Sequence, residues 1–309
     1  MQKDSKIYLA GHRGLVGSAI LRALEREGYK NIVYRSHKEL DLCRQDKVED
    51  FFTTEKPDYV FLAAAKVGGI KANDVYRGDF ILENLQIQTN VISSAFKAKV
   101  KKLVFLGSSC IYPKNVPQPM KEDALLTGSL EPTNEAYAVA KIAGLMLCKS
   151  LKAQYGVSFV SAMPTNMFGP GDNYDLNNSH VLPALIRRFH EAKISIAPSV
   201  TLWGTGKAFR EFLYSDDLAD ALIFIMNNYD ENIHLNVGSS KEITIADLAL
   251  LIKKIVGYEG QILWDSSKPD GTPRKIMDSS RLMACGWKPK IALEEGIRLA
   301  YEDFQSRFK

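Results

Sequence analysis

Short apolar runs alternate with longer amphipathic stretches along the first half of the chain. Residues 7–10 are wholly apolar and predict a buried strand. Residues 18–27 have helical composition, and Gly28 is placed to end that helix. The same rhythm predicts strands at 31–34, 58–62, 102–106 and 158–163. Between them it predicts helices at 46–54, 79–97 and 136–151, the last rich in Ala, Leu, Met and Lys. Alternation of this kind implies a parallel sheet with right-handed crossovers. The fold class is therefore α/β, a doubly wound parallel sheet of Rossmann type.

Past Pro164 the rhythm breaks. Residues 164–183 are loop-rich, and 182–192 are helical. Residues 202–206 and 209–212 read as a strand, a turn and an edge strand. Residues 214–226 return to strand then helix, and 235–238 form a short strand. Helices follow at 245–256 and 293–304, with a polar loop at 268–275 between them. No internal repeat or low-complexity tract interrupts this. The reading is two interleaved units: residues 1–165 plus 212–240 as a dinucleotide-binding domain, and 166–211 plus 241–309 as a smaller mixed α/β substrate lobe.

Composition narrows the classes. A chain of 309 residues can bury a large core. No apolar run approaches the ~20 residues a membrane helix needs. The polar start leads directly into a strand, so no signal peptide is expected. Cys43, Cys110, Cys148 and Cys285 lack metal-site spacing. Free thiols, a reducing cytoplasmic setting and no bound metal are expected. The net charge of +4 is mild and comes without a basic run, which argues against nucleic acid as a partner.

Three stretches carry chemistry. The first is Gly11-His12-Arg13-Gly14-Leu15-Val16-Gly17, set between strand and helix. Glycines there permit a tight turn and close approach to a pyrophosphate, and the helix start offers free N–H groups. The second predicted strand is followed by Arg35, His37 and Lys38 rather than by an acidic residue, and Arg13 lies in the glycine loop. That choice suits a 2′-phosphate and points to NADP over NAD. Asp41 and Leu42 lie where a loop could cover the adenine, and the small residues of 63–69, Ala64 among them, would let a cofactor lie close.

The second stretch, Gly107-Ser108-Ser109-Cys110, closes the fourth strand. A hydroxyl there could bond a substrate oxygen; Cys110, taken alone, reads as a small buried apolar residue, the commoner fate of a lone cysteine. The third is Tyr137 with Lys141, four residues apart and so on one helix face. The ammonium is expected to lower the phenol's pKa, giving a group that passes a proton to or from a sugar or ketone oxygen. His180, read without context, is a packed or solvated loop histidine.

Together these stretches resemble the extended short-chain dehydrogenase/reductases that act on nucleotide sugars. Residues 10–14, 63–69, 107–113, 178–180 (including Asn178) and 268–275 resemble more narrowly the GDP-L-fucose synthase family. The resemblance implies 3,5-epimerisation of GDP-4-keto-6-deoxy-D-mannose, then NADPH-dependent reduction at C4. It implies Cys110 as base and His180 as acid, with Ser108 and Tyr137 on the C4 oxygen. Lys141 would hold the nicotinamide ribose. Cofactor contacts are implied for Phe105, Leu106, Gly107 and Ser108, for Pro164, Thr165, Asn166 and Met167, and for His180. Substrate contacts are implied for Arg188, Trp203, Arg210 and Asp270, the two arginines as diphosphate partners. His37 stands where the family can carry a second arginine, which softens the NADP preference. A homodimer built on the two long helices is expected. A 4-epimerase or 4,6-dehydratase is the nearest alternative, but a dehydratase places Asp and Glu where Ser109 and Cys110 stand. A redox-sensing binding protein would commonly have lost the Tyr or the Lys.

Overall fold

The computed structural model describes residues 1–176, 179–268 and 270–308. The first half runs β1 (Ile7–Ala10), α1 (Leu15–Arg26), β2 (Ile32–Val33), α2 (Gln45–Glu55), β3 (Tyr59–Leu62), α3 (Ile70–Val75), α4 (Arg77–Lys97), β4 (Lys102–Leu106), α5 (Glu135–Tyr155) and β5 (Ser158–Pro164). The second runs β6 (Asn166–Phe168), α6 (Val181–Ile194), β7 (Ser199–Trp203), β8 (Phe209–Tyr214), α7 (Ser215–Asn228), β9 (Leu235–Val237), β10 (Glu242–Thr244), α8 (Ile245–Val256), β11 (Gln261–Asp265), β12 (Arg274–Lys275), α9 (Ser280–Ala284) and α10 (Leu293–Arg307).

The main sheet is parallel, in the order β2-β1-β3-β4-β5-β9. Its strands are largely apolar, with Lys102, Ser161 and Asn236 among the buried exceptions, because both faces are covered. Successive side chains point to opposite faces. Ile7 and Leu9 therefore enter the core shared with α1 and α7, while Tyr8 and Ala10 enter the core shared with α2, α4 and α5. Val104 and Leu106 against Leu103 and Phe105 repeat the division in β4. The chain steps outward from β1 to β2, then crosses back to β3. Ligands bind at such a reversal in open α/β sheets.

The second half departs from the strand, turn and edge strand expected at 202–212. β7 pairs with β11, and β8 lies inside another sheet, flanked by β10 and β12 and also paired with β6. Gly204 and Gly206 both have positive φ, +81° and +75°, and turn the chain away between β7 and β8. A Cβ on Gly206 would lie 2.7 Å from the Trp264 ring of β11. The end of the expected polar loop is itself a strand, β12, paired with β8 through Arg274↔Phe209 and Lys275↔Arg210. A third core lies under α6, α8 and α10.

Glu211 of β8 is fully buried and ties these parts together. Its carboxylate accepts from the backbone N–H of Ser240 at 2.7 Å and of Met277 at 2.9 Å. Its carbonyl accepts from Asn166 Nδ2 at 2.7 Å. Burial raises its pKa, and those donated bonds oppose the shift.

Near β9, Tyr112 donates to Asn236 Oδ1 at 2.5 Å and lies 2.9 Å from His234 Nε2. One hydroxyl proton cannot serve both, so His234 Nε2 carries a hydrogen and donates to the Tyr112 oxygen. Burial, with Lys149 and Arg281, lowers the His234 pKa to about 4. The unfolded chain takes up this proton below its ordinary pKa of roughly 6.5, and the folded chain resists it. The stability is therefore complete above the unfolded value and is lost as pH falls toward the folded one. Roughly 3 kcal/mol should disappear over that window in urea titrations. His234→Gln, which keeps the donated bond, should remove this acid slope; an unchanged slope would refute the assignment.

Candidate active site

The glycine loop leaves β1 at the point where the sheet reverses. Gly11 has φ +91°, and a Cβ there would lie 2.6 Å from the Ala64 nitrogen beyond β3. A Cβ on Gly17 would lie 2.0 Å from the Gly11 carbonyl oxygen. No side chain caps the start of α1 at Gly14, so the first-turn N–H groups of Leu15, Val16 and Gly17 are left for a ligand. His12 stacks on Tyr34 at 4.4 Å between centroids, and its Nδ1 is buried without a hydrogen-bond partner. A cradle that a Cβ would fill, an uncapped helix start and an orphaned ring nitrogen fit a dinucleotide phosphate.

Around the second strand, Arg35 donates to Glu55 Oε1 at 2.5 Å, which anchors the guanidinium on α2, while Arg13, His37 and Lys38 are exposed. Asp41 accepts from the Cys43 backbone N–H at 2.9 Å and faces His37 at 3.8 Å. The Leu42 carbonyl takes a bond from Asn90 at 2.9 Å.

The chemical groups gather at the end of β4. Gly107 lets the backbone pass Met163, since a Cβ there would lie 2.2 Å from the Met163 sulfur. Ser108 Oγ then accepts from the Cys110 N–H at 3.2 Å, and a single 3₁₀ turn, Ser109–Ile111, presents Cys110 half-buried. Cys110 Sγ receives Asn134 Nδ2 at 3.4 Å and Lys275 Nζ at 3.6 Å. Cys148, by contrast, is sealed in the core, and burial pushes its thiol up to about 12, which keeps it inert.

Tyr137 lies one turn before Lys141 on α5, as expected, but the pKa shift runs the other way. Burial raises the phenol, the nearby Cys110 adds to this, and a hydrogen bond with Ser108 opposes it. Lys141 Nζ lies 5.8 Å from the Tyr137 ring centroid and donates to the Leu106 carbonyl at 2.9 Å. Desolvation lowers its pKa to about 7, so near neutrality it is charged only part of the time and opposes the rise in the phenol's pKa weakly. Tyr137 is therefore held as the protonated phenol.

His180 precedes α6, and its side chain makes no cap. The residue is exposed, yet protein crowds its ring. That desolvation lowers its pKa, and the charge of Lys275 adds to the effect. Asn178 lies outside the described residues.

The other expected positions divide. Leu106, Gly107 and Ser108 line the end of β4, and Pro164 closes β5 beside Val237. The Phe105 ring is 1% exposed and packs where a Cβ on Gly144 would lie 2.5 Å away, under the Lys141 ammonium at 5.0 Å from its centroid. Alternation along β4 turns it into the core, leaving only its backbone at the strand end. Thr165 and Asn166 both donate to the Glu211 carbonyl, and Met167 packs against the core under α1 and α7.

Trp203, Arg210 and Asp270 come together. Asp270 accepts from the Thr205 N–H at 2.6 Å and hydroxyl at 2.7 Å, which pins its loop beside Gly204. Burial lowers the Arg210 pKa, and Asp270 partly offsets this. Trp203 is 64% exposed, with the Lys268 ammonium over its ring at 5.9 Å from the centroid. Arg188 reaches the same strand through the Thr201 carbonyl at 3.4 Å. Sequence reading missed Asn134 and Lys275. Lys275 stood within the matching 268–275 stretch, where only Asp270 was given a role.

A doubly wound sheet, a glycine cradle at its reversal and a Ser–Tyr–Lys set at the end of β4 define an extended short-chain oxidoreductase. The chain belongs to the NAD dependent epimerase/dehydratase family, whose profile matches residues 7–238. GDP-L-fucose synthase 1 of Arabidopsis thaliana is 60% identical over 300 residues, covering 97% of this chain and 93% of the relative. GDP-L-fucose synthase of Escherichia coli strain K12 is 51% identical, covering 98% of each. The solved structure of a GDP-L-fucose synthetase from Naegleria fowleri bound to NADP superposes with a TM-score of 0.92 at 29% identity, covering 100% of this chain and 96% of that one.

Proposed function

We propose that this protein is a GDP-L-fucose synthase, converting GDP-4-keto-6-deoxy-D-mannose to GDP-L-fucose with NADP as its cofactor. The observation that carries the reading is Cys110 at the end of β4. There Ser108 bonds the Cys110 backbone, Tyr137 lies close enough to feel the thiol, and Lys275, which touches the sulfur, also acts on His180. A simple ketone reductase has no use for a held thiol beside its tyrosine.

The C3 and C5 hydrogens flank the C4 ketone, so their loss leaves an enolate. Cys110 takes the proton on sulfur. Ser108 and Tyr137 donate to the C4 oxygen and stabilise the charge that develops there. His180 returns a proton to the carbon, and solvent resets both groups. NADPH, when bound, supplies the hydride that C4 accepts. The cradle of residues 11–17 would hold its pyrophosphate, Arg13, Arg35 and Lys38 its 2′-phosphate, and Lys141 its nicotinamide ribose. Tyr137 gives its phenolic proton to the C4 oxygen. Arg188, Trp203, Arg210 and Asp270 would hold the GDP end of the substrate.

The division into residues 1–165 plus 212–240 and 166–211 plus 241–309 assigns cofactor and substrate to separate units. Leu82 on α4, with Val139 and Met146 on α5, is exposed, which supports a homodimer through these helices. Among the described residues no helix is long and apolar enough to cross a membrane, and the free thiols suit the cytoplasm. The test is turnover by the purified protein, its mass taken by light scattering. A dimer mass, consumption of NADPH and GDP-L-fucose in the product NMR spectrum are expected. A folded protein that leaves a competent substrate unreduced would overturn the activity, and a monomer mass the assembly.

A further inference from the structure

Lys275 is a half-buried cation on a two-residue strand that is anchored on every side. β12 pairs with β8 at Arg210. Arg274 clamps Glu242 with two bonds, at 2.7 and 2.8 Å. The next two N–H groups bind Gln118 Oε1 at 3.0 Å and the buried Glu211 carboxylate at 2.9 Å. Among the described residues no carboxylate lies within ion-pair distance of Lys275. Its ammonium instead points at Cys110 Sγ, 3.6 Å away. The base form of a cysteine is the thiolate, and a lysine beside a thiolate is its natural counter-ion.

We propose that Lys275 is the positioning residue of the epimerisation, its ammonium pairing with the Cys110 thiolate and holding the sulfur toward the substrate. This rests on the base role proposed for Cys110. Asn134 Nδ2 donates to the same sulfur at 3.4 Å without adding charge. The ionisable groups around the sulfur are Tyr137 on α5, Lys275 on β12 and, beyond Lys275, His180 ahead of α6. Lys275 also acts on His180, favouring the neutral ring and so making its imidazolium a readier proton donor. One cation thereby serves both partners of the inversion.

The first measurement needs no substrate. Alkylation of Cys110 by iodoacetamide, followed by peptide mass across pH, reports the thiolate directly. In Lys275→Met the rate at neutral pH should fall about tenfold as the sulfur loses its counter-ion. The alkaline plateau, where the thiolate is complete in any case, should stay within twofold of the parent. Lys275→Arg should restore most of the neutral-pH rate, and Lys275→Gln should behave like Met. An unchanged profile would overturn the proposal, and so would a plateau that falls with the neutral-pH rate, which would mean only altered access. Deuterium exchange at C3 and C5 should drop in step with the alkylation rate, with NADPH affinity unchanged. A protein that failed to turn over the GDP-sugar but showed the slowed alkylation would sink the activity and leave the pair standing.

Discussion

Tyr137→Phe is expected to slow NADPH oxidation by about a thousandfold, the middle of the range for losing a general acid. The structure makes this tyrosine a protonated donor rather than a phenolate. Its surroundings raise its pKa, so the proton that the C4 oxygen needs is already in place at neutral pH. Removing the hydroxyl leaves the new alkoxide without that proton and with Ser108 as its remaining donor from this pair. The substitution keeps the ring and its edge contact with Phe80 at 6.3 Å, so folding should hold. NADPH affinity, measured by fluorescence titration, should stay within about threefold, because the phenol acts on the substrate oxygen. Single-turnover kinetics give the direct reading. A loss smaller than tenfold would move the proton donor elsewhere, with Ser108 the next candidate.

What the sequence revealed and what it hid follow from the distance over which each feature is decided. β1 and the glycine loop were legible because four apolar residues and three glycines settle them locally. The fourth strand and its Ser-Ser-Cys end were legible for the same reason. The true partner of β7 was not, because it lies at β11, some sixty positions on, and no local pattern records that pairing. The Lys275–Cys110 contact spans 165 positions and depends on a strand of two residues. The Tyr137–Lys141 spacing correctly put both groups on one face but gave the wrong sign for the shift. Spacing carries the Coulomb attraction, whereas burial decides whether the lysine is charged at all. Phe105 likewise shows the limit of position alone: strand alternation turns its ring into the core beneath Lys141 and leaves its backbone at the strand end.

In deuterated water the two halves of the inversion should separate. Cys110→Ser replaces the thiol by a hydroxyl, a far poorer source of base at neutral pH, and should cut deuterium uptake at both C3 and C5 about a hundredfold. His180→Gln should give a different result. Cys110 still removes the proton, exchanges it with solvent and returns a deuteron to the face it came from. Exchange therefore continues, while inversion at C3 and C5 falls about a hundredfold by loss of the acid. The His180 side chain makes no cap on α6, so Gln there should leave the helix start intact. The lowered His180 pKa adds a pH signature. The acid must be the imidazolium, and a depressed pKa means that form is already lost at lower pH than for an ordinary histidine. Inversion should accordingly weaken as pH rises on the acid side of the ordinary histidine value of roughly 6.5, before neutrality is reached, while wash-in of deuterium holds. NMR of the recovered sugar distinguishes the outcomes: exchange lost in His180→Gln and kept in Cys110→Ser would reverse the roles, and exchange kept in both would remove the pair from the reaction.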